Sequence, residues 1–286
     1  MWVLPAIENH MQKKRKSELI RNGQARLGAT RWALPLLLPL LILPSLLSTP
    51  STALEYRIAQ CLFGCPQGAD SENHLVLRSI YALSYNTHYR TAEWAAYRVT
   101  ADSIGIASSL SREPMADPYI SDTLLPADFE AADGIGLSLS HLVPLVNFAA
   151  TPYWNEVNYL SNVVTRSRSL SRGAWYGLEW AVRNLVNRET EVFVLSGPVF
   201  NEQSNTPQLR TSTEHRVPDS FFKIVVTESG RMSAFLLPQS VAVHHHHCEL
   251  RTTIEELEAV TGLRFFPEKQ YLDFTSLDSG LGCAKS

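Results

Sequence analysis

The stretch LSLSHLVPLVNFA, Leu137 to Ala149, sets a histidine after small and apolar residues and at the head of an amphipathic run. No charged residue stands beside His141. An imidazole in such surroundings has two readings: a partly buried, hydrogen-bonded side chain, or a base positioned for proton transfer. The elements around it decide between them.

Upstream, SIYALSY (79–85) and EWAAYRV (93–99) are β-like and are joined by the polar segment NTHYRTA, which predicts a hairpin. Residues 100–133 carry Pro114, Pro118 and Pro126 and read mostly as loop. Downstream, VNYLSNV (157–163) reads as strand-like or extended. From Ser171 to Arg188, Trp175, Leu178, Val182, Leu185 and Val186 fall on one stripe at helical spacing. Ser171 suits the N-cap of that helix, and Glu179 and Arg183 stand four apart, the spacing of a surface ion pair. VFVLSGPVF (192–200), FFKIVV (221–226) and AFLLP (234–238) are apolar strands. Thr253 with Glu256 makes a capping box for a short helix carrying Ile254, Leu257 and Val260 and ended by Gly262. The fold class is α+β, a central sheet with helices packed on it.

The chain has 286 residues, 45% of them hydrophobic, and a formal charge of −3. Its charge is unevenly spread. Residues 1–31 hold Lys13, Lys14, Arg15, Lys16, Arg21, Arg26 and Arg31 against Glu8 and Glu18, and the uncharged WALPLLLPLLILPSLL follows. This order is that of a secretory signal, and Ser51-Thr52-Ala53 offers a small-x-small cleavage site. The apolar run is short for a spanning helix and is broken by Pro35, Pro39 and Pro44; an uncleaved anchor is the alternative. Residues 1–53 are therefore expected to be a basic leader and signal peptide or anchor, and residues 54–286 one domain. Without the leader the formal charge is near −8. Any basic footprint for nucleic acid must then be local, and non-specific affinity weak.

Cys61, Cys65, Cys248 and Cys283 all follow the leader, and an even count behind an export signal points to disulfides. Cys61 and Cys65 are close enough to close a small loop, which leaves Cys248 with Cys283. A zinc site is the rival, but CLFGC supplies only half a knuckle. The tract HHHH (244–247) could bind a transition metal; on a strand, however, successive side chains point to opposite faces and would not converge.

Several segments in order resemble the DNA/RNA non-specific endonucleases, secreted sugar-nonspecific nucleases with a ββα-metal site. They are CLFGCP, YALSYN with EWAAYRV, SHLVPLVNFAATPYWNEVNYLSNV, LSRGAWYGLEWAVR, VFVLSGPVF, VPDSFFKIVV and IEELEAVTGLRFFP, together spanning roughly residues 58–285. The resemblance implies a central antiparallel sheet flanked by helices with a ββα-metal finger core, and it supports the pairs Cys61–Cys65 and Cys248–Cys283. It implies sequence-blind phosphodiester hydrolysis, in which a histidine takes a proton from water and a hydrated Mg²⁺ stabilises charge on the phosphate. DNA and RNA backbones are the implied partners. Homodimers occur in the family, and a membrane enters only if the leader is uncleaved. The implied location is secreted or periplasmic, with membrane anchoring as the alternative.

Residue by residue, the match is selective. The family signature Asp-Arg-Gly-His falls on Ser138-Leu139-Ser140-His141, so His141 fits the general base while Leu139 replaces the arginine. Ser171 stands where the metal-binding asparagine is expected. Glu179 matches an acid that reaches the metal through water, and Arg183 the arginine one turn on. Asn158 and Asn162 match two asparagines that shape the site. A serine is a shorter and poorer ligand for Mg²⁺ than an amide oxygen, and Leu139 cannot stabilise developing charge. Loss of one such contact commonly costs about 10²–10³ in rate. Two readings follow. In the first, hydrolysis is weak or lost, no cofactor is held, and the protein acts by binding. In the second, it is an active Mg²⁺ (or Mn²⁺) endonuclease in which Asp133, Asn162 or Glu179 replaces the missing ligand and Arg166, Arg168 or Arg172 the missing charge.

Overall fold

The computed structural model describes residues 57–201, 209, 211 and 215–284. The chain separates into Met1–Ala53 and Leu54–Ser286. The expected leader, with its signal-or-anchor reading, lies outside the described residues. Among the described residues no helix is long and apolar enough to cross a membrane.

In chain order the elements are β1 (His74–Leu77), β2 (Tyr81–Asn86), β3 (Thr91–Thr100), α1 (Pro126–Asp133), β4 (Leu137–His141), β5 (Val163–Ser167), α2 (Arg168–Arg172), α3 (Ala174–Glu189), β6 (Glu191–Val199), β7 (Ser220–Val226), β8 (Arg231–Pro238), β9 (Arg251–Thr252), α4 (Ile254–Thr261) and β10 (Thr275–Ser276). The main sheet runs β1-β2-β3-β6-β7-β8-β10, with β9 on β8; every pairing is antiparallel except β10 with β8. The expected hairpin is β2–β3, and the three apolar runs are β6, β7 and β8. The α+β class and the antiparallel central sheet are borne out.

Those runs are apolar on both faces, Ser196 and Lys223 apart, because both sheet faces are covered. Side chains alternate across a strand. On β7, Phe221 and Val225 join Trp175, Leu178, Val182, Leu185 and Val186 of α3 in one core. Phe222, Ile224 and Val226 join Ile254 and Leu257 of α4, with Phe265 and Phe266, in the other. Each such fully buried side chain contributes about 1.5–3 kcal/mol relative to exposure. The predicted α4 capping box is present: Thr253 Oγ1 accepts from Glu256 N at 3.1 Å, and Gly262 closes the helix in the left-handed region at φ 72°.

A separate antiparallel pair, β4–β5, carries the quoted stretch, with Ser138 opposite Arg166 and His141 opposite Val163. Helices α2 and α3 follow it directly, which completes a ββα unit.

Four local expectations are corrected. The helix expected from Ser171 is two helices. At Gly173 a Cβ would lie 2.4 Å from Val243 O and 2.9 Å from Ser169 O, so the chain turns there at a residue without one. Ser171 therefore sits inside α2, whose cap is Ser167, its Oγ accepting from Leu170 N at 3.2 Å. Residues 157–163 are not a strand but 3-10 turns, Trp154–Asn158 and Leu160–Asn162. The Asn162 amide fixes them, accepting from Val143 N at 2.9 Å and donating to Val143 O at 3.1 Å and Val157 O at 2.8 Å. Within the expected loop, α1 forms because Pro126 opens it and Asp128 Oδ2 accepts from Leu125 N at 2.8 Å. Finally, His244–His247 is not on a strand. It lies in a turn leading into a 3-10 segment, where ligand atoms of His246, His247 and Cys248 fall within 4.8 Å of one another.

Both disulfides close as read, Cys61–Cys65 and Cys248–Cys283, with no free cysteine among the described residues. Cys248 is thus a disulfide sulfur, not a thiolate ligand. His247 is buried with Nε2 3.0 Å from Leu281 O, so it packs the corner beside that disulfide.

Candidate active site

Arg166 is the centre of the site. It lies on β5 and is only 5% exposed. Its guanidinium carbon is 3.8 Å from the Trp175 ring centroid and 5.7 Å from that of Phe221. Its Nε donates to Ser171 Oγ at 3.1 Å and its Nη1 to the His141 carbonyl at 3.3 Å. Stacking, a hydroxyl and a carbonyl orient the fork, but none of them neutralises it. Burial pushes its pKa down to about 9, still charged at neutral pH.

Behind it stands a buried ion cluster. Lys223 Nζ meets Glu179 Oε1 and lies 3.8 Å from the Trp175 centroid and 3.5 Å from Tyr97 Oη. Glu179 Oε2 accepts from Asn147 Nδ2 at 3.4 Å and stands 3.9 Å from Arg183 Nη1, which also donates to Asn147 Oδ1 at 3.4 Å. The expected pairing of Glu179 with Arg183 across one turn is present at 3.9 Å, but Glu179 is 4% exposed, so the pair is not a surface one and a lysine from β7 is the closer partner. Burial, then repulsion from Arg166, pulls the Lys223 pKa well below the ordinary ammonium range. The cluster sets one carboxylate against three cations: Lys223, Arg183 and Arg166.

His141 ends β4. Its Nε2 is sealed from solvent without a hydrogen-bond partner. Burial, then the charges of Arg166 and Arg112, lowers its pKa to about 4. The ring is therefore neutral at neutral pH, the right form to accept a proton, yet far less basic than a general base poised near pH 7. The register places Arg166 opposite Ser138, so strand alternation puts the Arg166 side chain and the His141 ring on opposite faces of the pair. Arg166 reaches the histidine through its backbone oxygen. Leu139 shares the His141 face and packs against Leu124, Phe129, Leu160 and Val163. The residue at the signature arginine position is thus turned into packing.

Several other candidates lie elsewhere. Arg168 and Arg172 are exposed on α2, apart from the buried cluster. Asn162 is bound to backbone at three points and latches the turn. Asn158 donates to Ser111 O at 2.9 Å and leaves its Oδ1 buried and unpartnered. The Asp133 side chain lies outside the described residues. Two members of the cluster, Lys223 and Asn147, carry no motif. The one signal for Lys223 was a cation inside the apolar run FFKIVV, which has to find an anion when buried.

These residues do not fit the divalent ion that the resemblance implies. The Ser171 hydroxyl receives Arg166, and Glu179 receives Lys223 and Arg183. A divalent ion about 4 Å from a guanidinium would be opposed by about 8 kcal/mol at an effective dielectric of about 20.

Comparison with known proteins follows the same lines. The DNA/RNA non-specific endonuclease family model matches residues 63–272. A nuclease of Serratia marcescens is 32% identical over 215 residues, spanning 72% of this chain and 79% of that protein. A nuclease of Nostoc sp. is 27% identical over 254 residues, 80% of this chain and 89% of its own length. A chain in the crystal structure of the EndoG/EndoGI complex shares the fold at a TM-score of 0.65 and 24% identity, covering 79% of this chain and 97% of that one. The sheet and the β4–β5–α3 unit have the ββα-metal nuclease fold. The chain belongs to the DNA/RNA non-specific endonuclease family, a family of nucleases that typically use a divalent metal.

Proposed function

We propose that this protein is an exported family member that binds the phosphodiester backbone of DNA and RNA weakly and whose hydrolytic power is low or lost. The observation that carries this reading is the occupation of both expected metal-side positions by internal cations: Ser171 by Arg166 and Glu179 by Lys223. The partly buried Leu139, packed against Leu124, Phe129, Leu160 and Val163, and the weakly basic His141 point the same way. Export rests on the basic and apolar leader together with two disulfides, which form outside reducing compartments.

The second reading, an active Mg²⁺-dependent endonuclease with His141 as general base, draws support from the neutral ring and its unpartnered Nε2. Cleavage of supercoiled plasmid and of RNA by the oxidised full chain, with Mg²⁺ or Mn²⁺, separates the two. The expected result is no cleavage above that of His141→Ala. Cleavage that His141→Ala abolishes would establish the active enzyme. Activity gained by Leu139→Arg with Ser171→Asn would locate the loss at those two positions.

A further inference from the structure

A buried guanidinium without a counter-ion is electrostatically incomplete. Arg166 has no carboxylate partner among the described residues, and the nearest acid of the cluster, Glu179, already serves Lys223 and Arg183. Its Nε and Nη1 are engaged by Ser171 and by the His141 carbonyl. Its Nη2 makes no hydrogen bond to a described residue, and the residue keeps a residual exposure of 5%. The residue thus presents one free, charged donor from a fork held rigid by the Trp175 stack. Lys223, 3.8 Å from the centroid of the same ring, takes up Glu179, so no carboxylate of the cluster is left for Arg166.

We infer that Arg166 is the resident cation of this site and that it binds a phosphate oxygen directly, with no divalent metal between them. The ligand class is a tetrahedral phosphate oxyanion, supplied by a nucleic-acid backbone or by inorganic phosphate. The charge-assisted N–H···O⁻ bond suits a guanidinium, and the rigid stack means that little side-chain freedom is lost on binding. The backbone source rests on the function proposed above; the oxyanion site does not.

The test uses the oxidised full chain in EDTA and again with Mg²⁺ or Mn²⁺. Fluorescence anisotropy follows a short labelled DNA strand, and calorimetry follows inorganic phosphate. The expected result is binding in EDTA that the metals leave within about twofold, and a loss of about tenfold or more in Arg166→Gln. Arg166→Lys, which keeps the charge but loses the fork, is expected to weaken binding by a smaller factor; it carries the test if the glutamine variant fails to fold, as judged by near-ultraviolet circular dichroism. Binding that appears only with metal overturns the inference and leaves the nucleic-acid reading standing. So does unchanged affinity in a folded Arg166 variant. Phosphate binding without DNA binding supports the oxyanion site and overturns the nucleic-acid reading. Binding of neither overturns both.

Discussion

Lys223→Met removes the ammonium from the centre of β7 while keeping a flexible chain of similar length. The wild-type side chain is 0% exposed and its partner Glu179 5%, so the pair lies beyond the screening that makes surface ion pairs weak. Deleting one member of a buried pair typically costs about 3–5 kcal/mol, because the other charge stays buried. Arg183, 3.9 Å from Glu179, offsets part of that, which places the expectation near about 3 kcal/mol, or about 10 °C in Tm for a domain of this size. Urea unfolding followed by circular dichroism, with both disulfides oxidised, measures it. The double variant Lys223→Met with Glu179→Leu should recover about 1 kcal/mol, because an apolar pair replaces an ionic one while Arg183, deprived of its carboxylate, keeps the Asn147 amide oxygen. A single variant within about 1 kcal/mol of wild type, or additive single and double effects, would refute the reasoning that this pair couples β7 to α3.

Three further outcomes are expected. Stability should fall as pH drops from 6.5 toward 4: burial holds His141 and His215 at about 4, so the unfolded chain binds more protons across that window, and the loss approaches about 3 kcal/mol for the fully buried His215; a flat urea midpoint from pH 7 to 4 would contradict it. Removing Cys248–Cys283 as a double serine variant should lower stability by about 4 kcal/mol, and removing Cys61–Cys65 by about 2 kcal/mol, since the sequence separations are 35 and 4; equal losses in denaturant titrations would exclude loop length as the cause. Gly173→Ala should lose about 2 kcal/mol or more, because the new methyl meets the Val243 and Ser169 carbonyls at the α2–α3 junction; a thermal melt matching wild type would show that the junction relaxes freely.

Much of the scaffold was legible because its signals are local. Strands β2, β3, β6, β7 and β8 announce themselves as short apolar runs, α3 by its stripe, and α4 by the capping box and Gly262. The boundary errors have one physical origin. Ser171 has the chemistry of an N-cap, but the close approach of Val243 O to Gly173 moved the break and gave the cap to Ser167. The Asn162 latch bent residues 157–163 away from an extended path by bonds to residues 5 and 19 positions distant. The alternation of a strand does not apply to the histidine tract, because the Cys248–Cys283 disulfide holds that corner as a turn and a 3-10 segment.

The sequence by itself determined the α+β class, the family and the altered signature at Ser138-Leu139-Ser140-His141, because each is written in residues near one another along the chain. Only the tertiary structure decided which charges meet. Arg166 and Ser171 are five residues apart and Lys223 and Glu179 forty-four, and neither contact follows from a periodicity or a cap. The sheet brings Lys223 under α3, the Trp175 ring collects Arg166 and Lys223, and Glu179 serves Lys223 and Arg183 but not Arg166. Electrostatics depends on distance through space and on burial, and neither is a property of position along the chain.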